Sequence, residues 1–363
     1  MARLGDVCTK AASNIVQKDL QGREGIYPVY GAGGFITNVD FYQREAPYIA
    51  VVKDGAGVGR VMKLPGQSSV IGTMQYILPG DLVNIDYLAF AMEHMCLGRY
   101  QTGATIPHIY FKDYRQEEFP LPGLERQAEI AAVLNWIVTL ISLRKRQLEK
   151  LDELVKVRFV EMFGDVIHNS KGWQVHIFSE IASSQLGKML DAKQQTGENS
   201  YPYLANFNVQ WFRFNLENLN TMNFDKGDRT KFEMCDGDLL VCEGGEIGRC
   251  AVWHNELQPC FYQKALHRVR CNLQIILPDY LSWWFRYNCE HEGFAAIAGA
   301  KATIAHLTGV KLKQLKVAVP PLELQQKFAC FVEQANKSKL TIRQSLDHLE
   351  TLKKSLMQEY FAP

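Results

Sequence analysis

The stretch YIAVVKDGAGVGRV, Tyr48 to Val61, combines a strand-like run with a glycine loop, the opening of a dinucleotide site. Such a loop turns tightly and lets backbone N–H groups approach a pyrophosphate. The next residues do not complete the site. RVMKLPGQ is strand-like and places Pro65 where a helix should open, and no acidic residue ends a following strand in the right context. A hairpin turn explains these glycines more simply. The equivalent loop further on, EGGEIGR (Glu243 to Arg249), also breaks the glycine spacing. His108 and His306 each lack a partner that would make a base, so both are expected to be structural or loop-capping. The chain has no Asn-Pro-Pro-aromatic motif of an amino-methyltransferase, no G-x-x-x-x-G-K-S/T loop and no H-E-x-x-H. No Pro-Asp…Glu-x-Lys nuclease pattern stands out either. The expectation is a protein without catalytic or metal-binding residues of its own.

Bulk properties agree with an ordinary globular protein. The 363 residues are 47% apolar and 22% charged, enough for two or three domains. No run of about eighteen apolar residues occurs, and MARLGDVCTK has no apolar core, so membrane and secretory assignments are not expected. The nine cysteines are scattered and never spaced C-x-x-C, as in a cytoplasmic protein with reduced thiols. Forty Lys and Arg against 39 Asp and Glu leave a net charge of +1. Nucleic-acid binding would therefore need local electrostatics or a partner that supplies them.

The elements that would position any site are themselves repeated. LPGLERQ (Leu121 to Gln127) returns as VPPLELQ (Val319 to Gln325) after a shift of 198 residues. The same shift pairs Leu148 with Leu346, Leu151 with Leu349, Leu154 with Leu352 and Phe163 with Phe361. It also lays ATIPHI (Ala104 to Ile109) on ATIAHL (Ala302 to Leu307) without a gap. Toward the N-terminus the shift shrinks to 174, which sets Tyr27-Pro28 on Tyr201-Pro202, and DGAGVGR pairs with EGGEIGR at 189. The chain thus reads as an internal duplication, two variable globular parts each followed by a segment of fixed length.

Those fixed segments are helical by their spacing. Glu125 to Phe163 contains neither Pro nor Gly, and Ile130, Leu134, Ile137, Ile141, Leu148, Leu151, Val155 and Met162 form a heptad seam interrupted by Arg144 and Arg158. A helix of that length spans about 58 Å and needs a partner along it. The second copy supplies Phe328, Val332, Ala335, Ile342, Leu346, Leu349, Leu356 and Tyr360, with Lys339 and Lys353 as interruptions. An intramolecular antiparallel coiled coil is expected. Residues 1–119 and 164–318 read instead as short strands such as YPVY, PYIAVV, DLLVC and RCAVW, with short helices at Asp86–Leu97 and Asp279–Cys289. The expected class is α/β (α+β), with globular domains at 1–119 and 164–318 and helices at 120–163 and 319–363.

This layout resembles the specificity subunit of type I restriction–modification enzymes over essentially the whole chain. LPGLERQAEIAAVLNWIVTLISLRKRQLEKLDELVKVRFVEMFGD is similar to that family's central conserved region. VPPLELQQKF…LDHLETLKKSLMQEYF is similar to its second copy, and KGWQVHIFSEIASSQLGK to the start of a target-recognition domain. The first domain departs from the pattern, opening on RLGDVCTK without the Trp-bearing lead strand, so its N-terminal edge is expected to be incomplete.

The resemblance implies a non-catalytic subunit that binds a bipartite double-stranded DNA target. Each domain would read one half-site while the helices fix the spacing. It implies two methyltransferase subunits and restriction/translocase subunits as partners, with S-adenosylmethionine, ATP and Mg2+ on those partners and no cofactor on this chain. Base reading favours Arg, Lys, Asn and Gln on loops, and phosphate anchoring favours Lys, Arg, Ser and Thr. On that basis the candidates in the first domain are Lys53, Arg60, Arg99, Gln101 and Thr102. In the second they are Lys188, Asn206, Asn208, Arg213, Arg229, Arg249, Lys301 and Thr303. Two other functions fit the same sequence less fully: a fused restriction–modification polypeptide with its own catalysis, and a coiled-coil adaptor that binds no DNA.

Overall fold

The computed structural model describes residues 1–103, 105–191, 197, 199–294 and 306–362. It forms two compact units, Met1–Leu148 with Thr341–Pro363, and Glu149–Leu340. Each is a mixed helix–strand structure, as the alternation of strand-like and helical runs implies.

In the first unit, Cys8–Ala12, Met74–Pro79, Tyr48–Val52 and Val61–Leu64 form an antiparallel sheet in that order. Tyr48–Val52 lies inside it and is buried throughout, which is why YIAVV is an unbroken apolar run. Strand alternation sends Ile49 and Val51 into a core with Tyr87, Leu88 and Ala91 of the helix Ile85–His94. Tyr48, Ala50 and Val52 enter a separate core with Leu64 and Tyr76. A second sheet orders Gly34–Val39, Tyr27–Gly31 and Ser69–Val70, the last two parallel. Residues 53–60 join two antiparallel strands, so the glycine loop is a hairpin connection and leads into a strand instead of a helix.

The second unit repeats this topology. Ala182–Leu186, Leu266–Cys271, Leu239–Cys242 and Cys250–Val252 form the four-stranded sheet. Asn220–Asn223, Ser200–Leu204 and Phe261–Tyr262 form the three-stranded one, again with its last pair parallel. Leu239 and Val241 face one core while Leu240 and Cys242 face another. The helix Pro278–Glu290 takes the place of Ile85–His94. An additional hairpin, Val209–Gln210 with Arg213–Phe214, and the helix Lys226–Phe232 account for extra length in this domain. The lead strand Gln174–Ile177 pairs with Lys316–Val319, and the first unit has a two-residue version, Ala2–Arg3 on Glu118–Phe119. Ala2–Arg3 holds the place of that strand without the Trp173 that precedes it in the second copy.

The fixed segments are helices of equal length, Leu124–Phe163 and Leu322–Phe361, each of 40 residues. Pro122 and Pro320–Pro321 stand just before them, where a missing N–H is harmless. The helices pack on each other antiparallel within each unit. In the first, Ile130, Ala131 and Leu134 share a core with Met357 and Phe361, and Lys145 pairs with Glu350 at 2.9 Å. In the second, Val155, Phe159 and Phe163 share a core with Phe328, Val332 and Ala335. Lys339, an apparent break in the distal seam, is 9% exposed because its stem packs while its ammonium reaches Asp152 at 2.5 Å. Arg158 keeps the seam position its spacing suggested, its guanidinium 5.9 Å over the Phe331 ring of the distal helix. It also pairs with Glu161 at 2.7 Å, and its neighbour Phe159 is buried, against Tyr280, Trp283 and Phe328. Among the described residues no helix is long and apolar enough to cross a membrane.

Candidate nucleic-acid interface

In the first domain the glycine loop and the segment after Gly98 are built as one surface. Gly55 N donates to Pro107 O at 2.8 Å, and Ile109 N donates to Lys53 O at 2.9 Å. Thr102 and His108 exchange backbone hydrogen bonds of 2.9 Å. Gly59 has φ of +85°, and a Cβ there would stand 2.3 Å from Gly98 N, so only glycine fits. This closeness brings Lys53, Arg60, Arg99, Gln101 and Thr102 onto two adjoining loops. Lys53 pairs with Asp54 at 3.3 Å, and Arg99 pairs with Glu117 while lying over the Tyr100 ring. Arg60, Arg99, Gln101 and Thr102 are exposed. His108 holds Ile106 O through Nδ1 at 3.3 Å, a loop contact and not a base–nucleophile pair.

The second domain builds its loop the same way. Leu307 N donates to Glu243 O at 2.7 Å, and a Cβ on Gly244 would stand 3.0 Å from His306 Nδ1. One side-chain bond is common to both copies. Arg60 Nη1 donates to Ala32 O at 2.7 Å, and Arg249 Nη2 donates to Asn206 O at 2.9 Å. Ala32 and Asn206 are partners under the 174-residue shift. The loop arginine is thus a latch that ties the glycine loop to the turn after a strand. Arg249 goes further, bonding Asn206 Oδ1 at 3.3 Å and Glu246 at 3.5 Å, with its side chain 17% exposed. Arg60 keeps the rest of its guanidinium in solvent.

Two candidates are corrected by their surroundings. Asn208 is fully buried, its Oδ1 accepting from Ala205 N at 2.9 Å and its Nδ2 donating to Asn215 O at 2.9 Å. Lys188 is buried against Asp228 and donates to Asn223 O at 2.6 Å. A base reader needs exposed donors, and the Asn208 amide and the Lys188 ammonium are committed to the fold. Arg229 is partly committed, donating to Tyr201 Oη at 2.7 Å, and Asn206 donates to Gly244 O at 2.9 Å. Arg213 is exposed on the extra hairpin, lining a groove with Gln210 and Asn215. Lys301 and Thr303 lie outside the described residues. Reasoning from residue type alone passed over Phe207, which is 53% exposed beside Asn206, and Gln210, whose Nε2 donates to Phe207 O at 2.9 Å. An exposed aromatic on a loop of Asn and Gln was the available signal.

Burial pushes the Cys242 thiol up to about 11 and the Cys289 thiol up to about 12, so neither is a thiolate near neutrality. His267 is buried with Nε2 at 2.9 Å from Leu307 O, and burial holds it below the usual histidine value. Among the described residues no cluster of His, Cys, Asp and Glu could hold a metal ion.

Comparison with known proteins places these features in a family context. The family model described as type I restriction modification DNA specificity domain matches residues 1–153 and again 170–351. The specificity subunit of the type I restriction enzyme EcoprrI from Escherichia coli is 26% identical over 132 residues, covering 36% of this chain and 32% of the relative. That of MjaIX from Methanocaldococcus jannaschii is 26% identical over 143 residues, covering 34% and 33%. The chain therefore spans about a third of the length of these curated relatives. The crystal structure of the type I restriction-modification S subunit from M. genitalium shares the fold, with a TM-score of 0.65 at 15% identity. That match covers 100% of this chain and 96% of the other.

Proposed function

The chain belongs to the type I restriction-modification DNA specificity family, and we propose that it chooses the DNA sequence on which a modification and restriction complex acts. Each globular domain reads one half of a bipartite double-stranded target, and the two long helices set the number of base pairs between the halves. The chain itself carries out no bond-making step. S-adenosylmethionine, ATP and Mg2+ belong to partner subunits, two methyltransferases and the restriction/translocase subunits, in the cytoplasm.

The observation that carries this reading is the duplication at the level of hydrogen bonds. Two domains with the same strand order differ in loop content yet stand on helices of equal length. Variation confined to loops suits different sequence readers, and constancy of length suits a spacer. The near-zero net charge fits a chain that shares phosphate contacts with partners. Trp136 is 65% exposed on the central helix, with Val133 and Leu143 also exposed, and such apolar surface supports a docking role. The test is methylation mapping of DNA from cells with and without this chain. Loss of methylation at one bipartite motif is expected, and an unchanged methylation pattern would contradict the reading.

A further inference from the structure

The strongest repetition in the structure is at the two junctions between a globular domain and a long helix, where no DNA candidate lies. Gln127 and Gln325, the last residues of the repeated phrase, are both 0% exposed. Gln127 Oε1 accepts from Asn84 N at 2.8 Å, and its Nε2 donates to Leu82 O at 3.1 Å and Pro122 O at 2.7 Å. Gln325 Oε1 accepts from Leu277 N at 2.8 Å, and its Nε2 donates to Ile275 O at 3.0 Å and Pro320 O at 2.8 Å. Each amide uses its acceptor and both donors, with partners at matching positions. Each ties the N-terminal boundary of a domain helix to the turn before a long helix.

A second bond and a ring contact repeat as well. Tyr87 donates to Pro120 O at 2.7 Å and Tyr280 donates to Ala318 O at 2.6 Å. Tyr87 packs on Phe361 with ring centroids 5.0 Å apart, and Tyr280 packs on Phe163 at 4.8 Å. Phe163 and Phe361 end the long helices. Each junction is therefore closed by the tip of the helix that arrives from the other half of the sequence.

We propose that Gln127 and Gln325 are positioning residues that fix the angle between each reading domain and the spacer helix, and so determine how strictly the complex counts base pairs between half-sites. This rests on the proposed specificity function. A spacer measures distance only if its ends are rigid. Each amide holds three backbone segments together, and buried backbone groups left without it would have to shift to find other partners.

The test uses the full complex with Gln127→Met, Gln325→Met and the double variant, which keep side-chain length but remove all three bonds. Methylation is measured on duplexes carrying the cognate half-sites with the cognate spacer or one base pair more or less. Off-length modification relative to cognate should rise by about tenfold for each loosened junction, with the half-site sequences unchanged. Val29→Ala, a core substitution away from both junctions, is the control for general destabilisation and should leave the spacing preference intact. If the double variant does not assemble, the single variants carry the test. If neither single variant assembles, Gln→Glu, which keeps the acceptor, takes their place. An unchanged spacing preference in an active variant, or equal broadening in Val29→Ala, overturns the proposal. A four-residue insertion in the central helix separates the two levels. If the insertion alters the preferred spacer and the glutamine variants do not, only the junction inference fails. If the insertion has no effect on the spacer, the underlying spacer reading fails.

Discussion

Arg60 and Arg249 occupy the same place in two copies and make the same bond, but their surroundings give them different work. Arg60 has guanidinium N–H groups to offer a base or phosphate after its bond to Ala32 O. Arg60→Ala should leave the melting temperature nearly unchanged and weaken specific duplex binding about tenfold or more, with a shallower salt dependence. Arg249→Ala removes a largely buried latch from Asn206 and Glu246, so thermal denaturation should show a loss of about 1–3 kcal/mol. Equal melting of the two variants would contradict this division. His267 gives a pH effect with a definite sign. Burial lowers its pKa below 6.5, so the unfolded chain takes up the proton first as pH falls. The second domain should lose stability below about pH 6.5, and His267→Gln, which copies Gln75 of the first domain, should flatten that acid-side slope in denaturant titrations.

At the scale of elements, much of the architecture was legible in the sequence and the exceptions have physical causes. Ile130, Leu134, Ile137, Phe328, Val332 and Ala335 are buried as heptad spacing requires, and all but Ile137 lie in cores that hold residues of both long helices. The spacing rule missed Phe159 because the last turns of the central helix are covered by the domain helix Pro278–Glu290 as well as by the distal helix. That second neighbour buries Phe159, which a two-helix seam would leave at its edge. Phe159→Ala should cost about 3–5 kcal/mol by chemical denaturation, whereas Arg158→Ala, which loses a ring contact and an exposed ion pair, should cost about 1 kcal/mol. Asn208 and Lys188 could not be told from surface readers by type: the Asn208 amide is used up inside its own turn by Ala205 and Asn215, and Lys188 is buried by Asn223 and Asp228, far along the chain. The junction glutamines were visible as letters of a repeated phrase, but the phrase does not disclose that their amides face backbone. On the exposed side of the same helix, Trp136→Ala should weaken co-purification with the methyltransferase subunits and leave the melting temperature unchanged. Inserting four residues near Thr139–Leu143 lengthens the helix by about 6 Å, which at roughly 3.4 Å per base pair is up to about two base pairs. Such a stutter locally unwinds a heptad seam without destroying it, so methylation mapping should find the same half-sites with a longer spacer.

For the whole molecule, the proposed function together with the duplication of one topology predicts two readers that change independently. Each domain has its own cores, its own glycine loop and its own latch, and the described contacts of those loops stay within their own unit. The most direct measurement is methylation mapping of DNA from cells in which residues 164–318 have been exchanged for the equivalent part of a relative, compared with cells carrying the parent chain. The parent should give one motif of two short fixed elements separated by an unspecified spacer of constant length. The exchanged chain should keep one element and the spacer while replacing the other element. If both elements changed together, or if the methylated sites shared one continuous element without a spacer, the two domains would not be independent readers and the account would be contradicted.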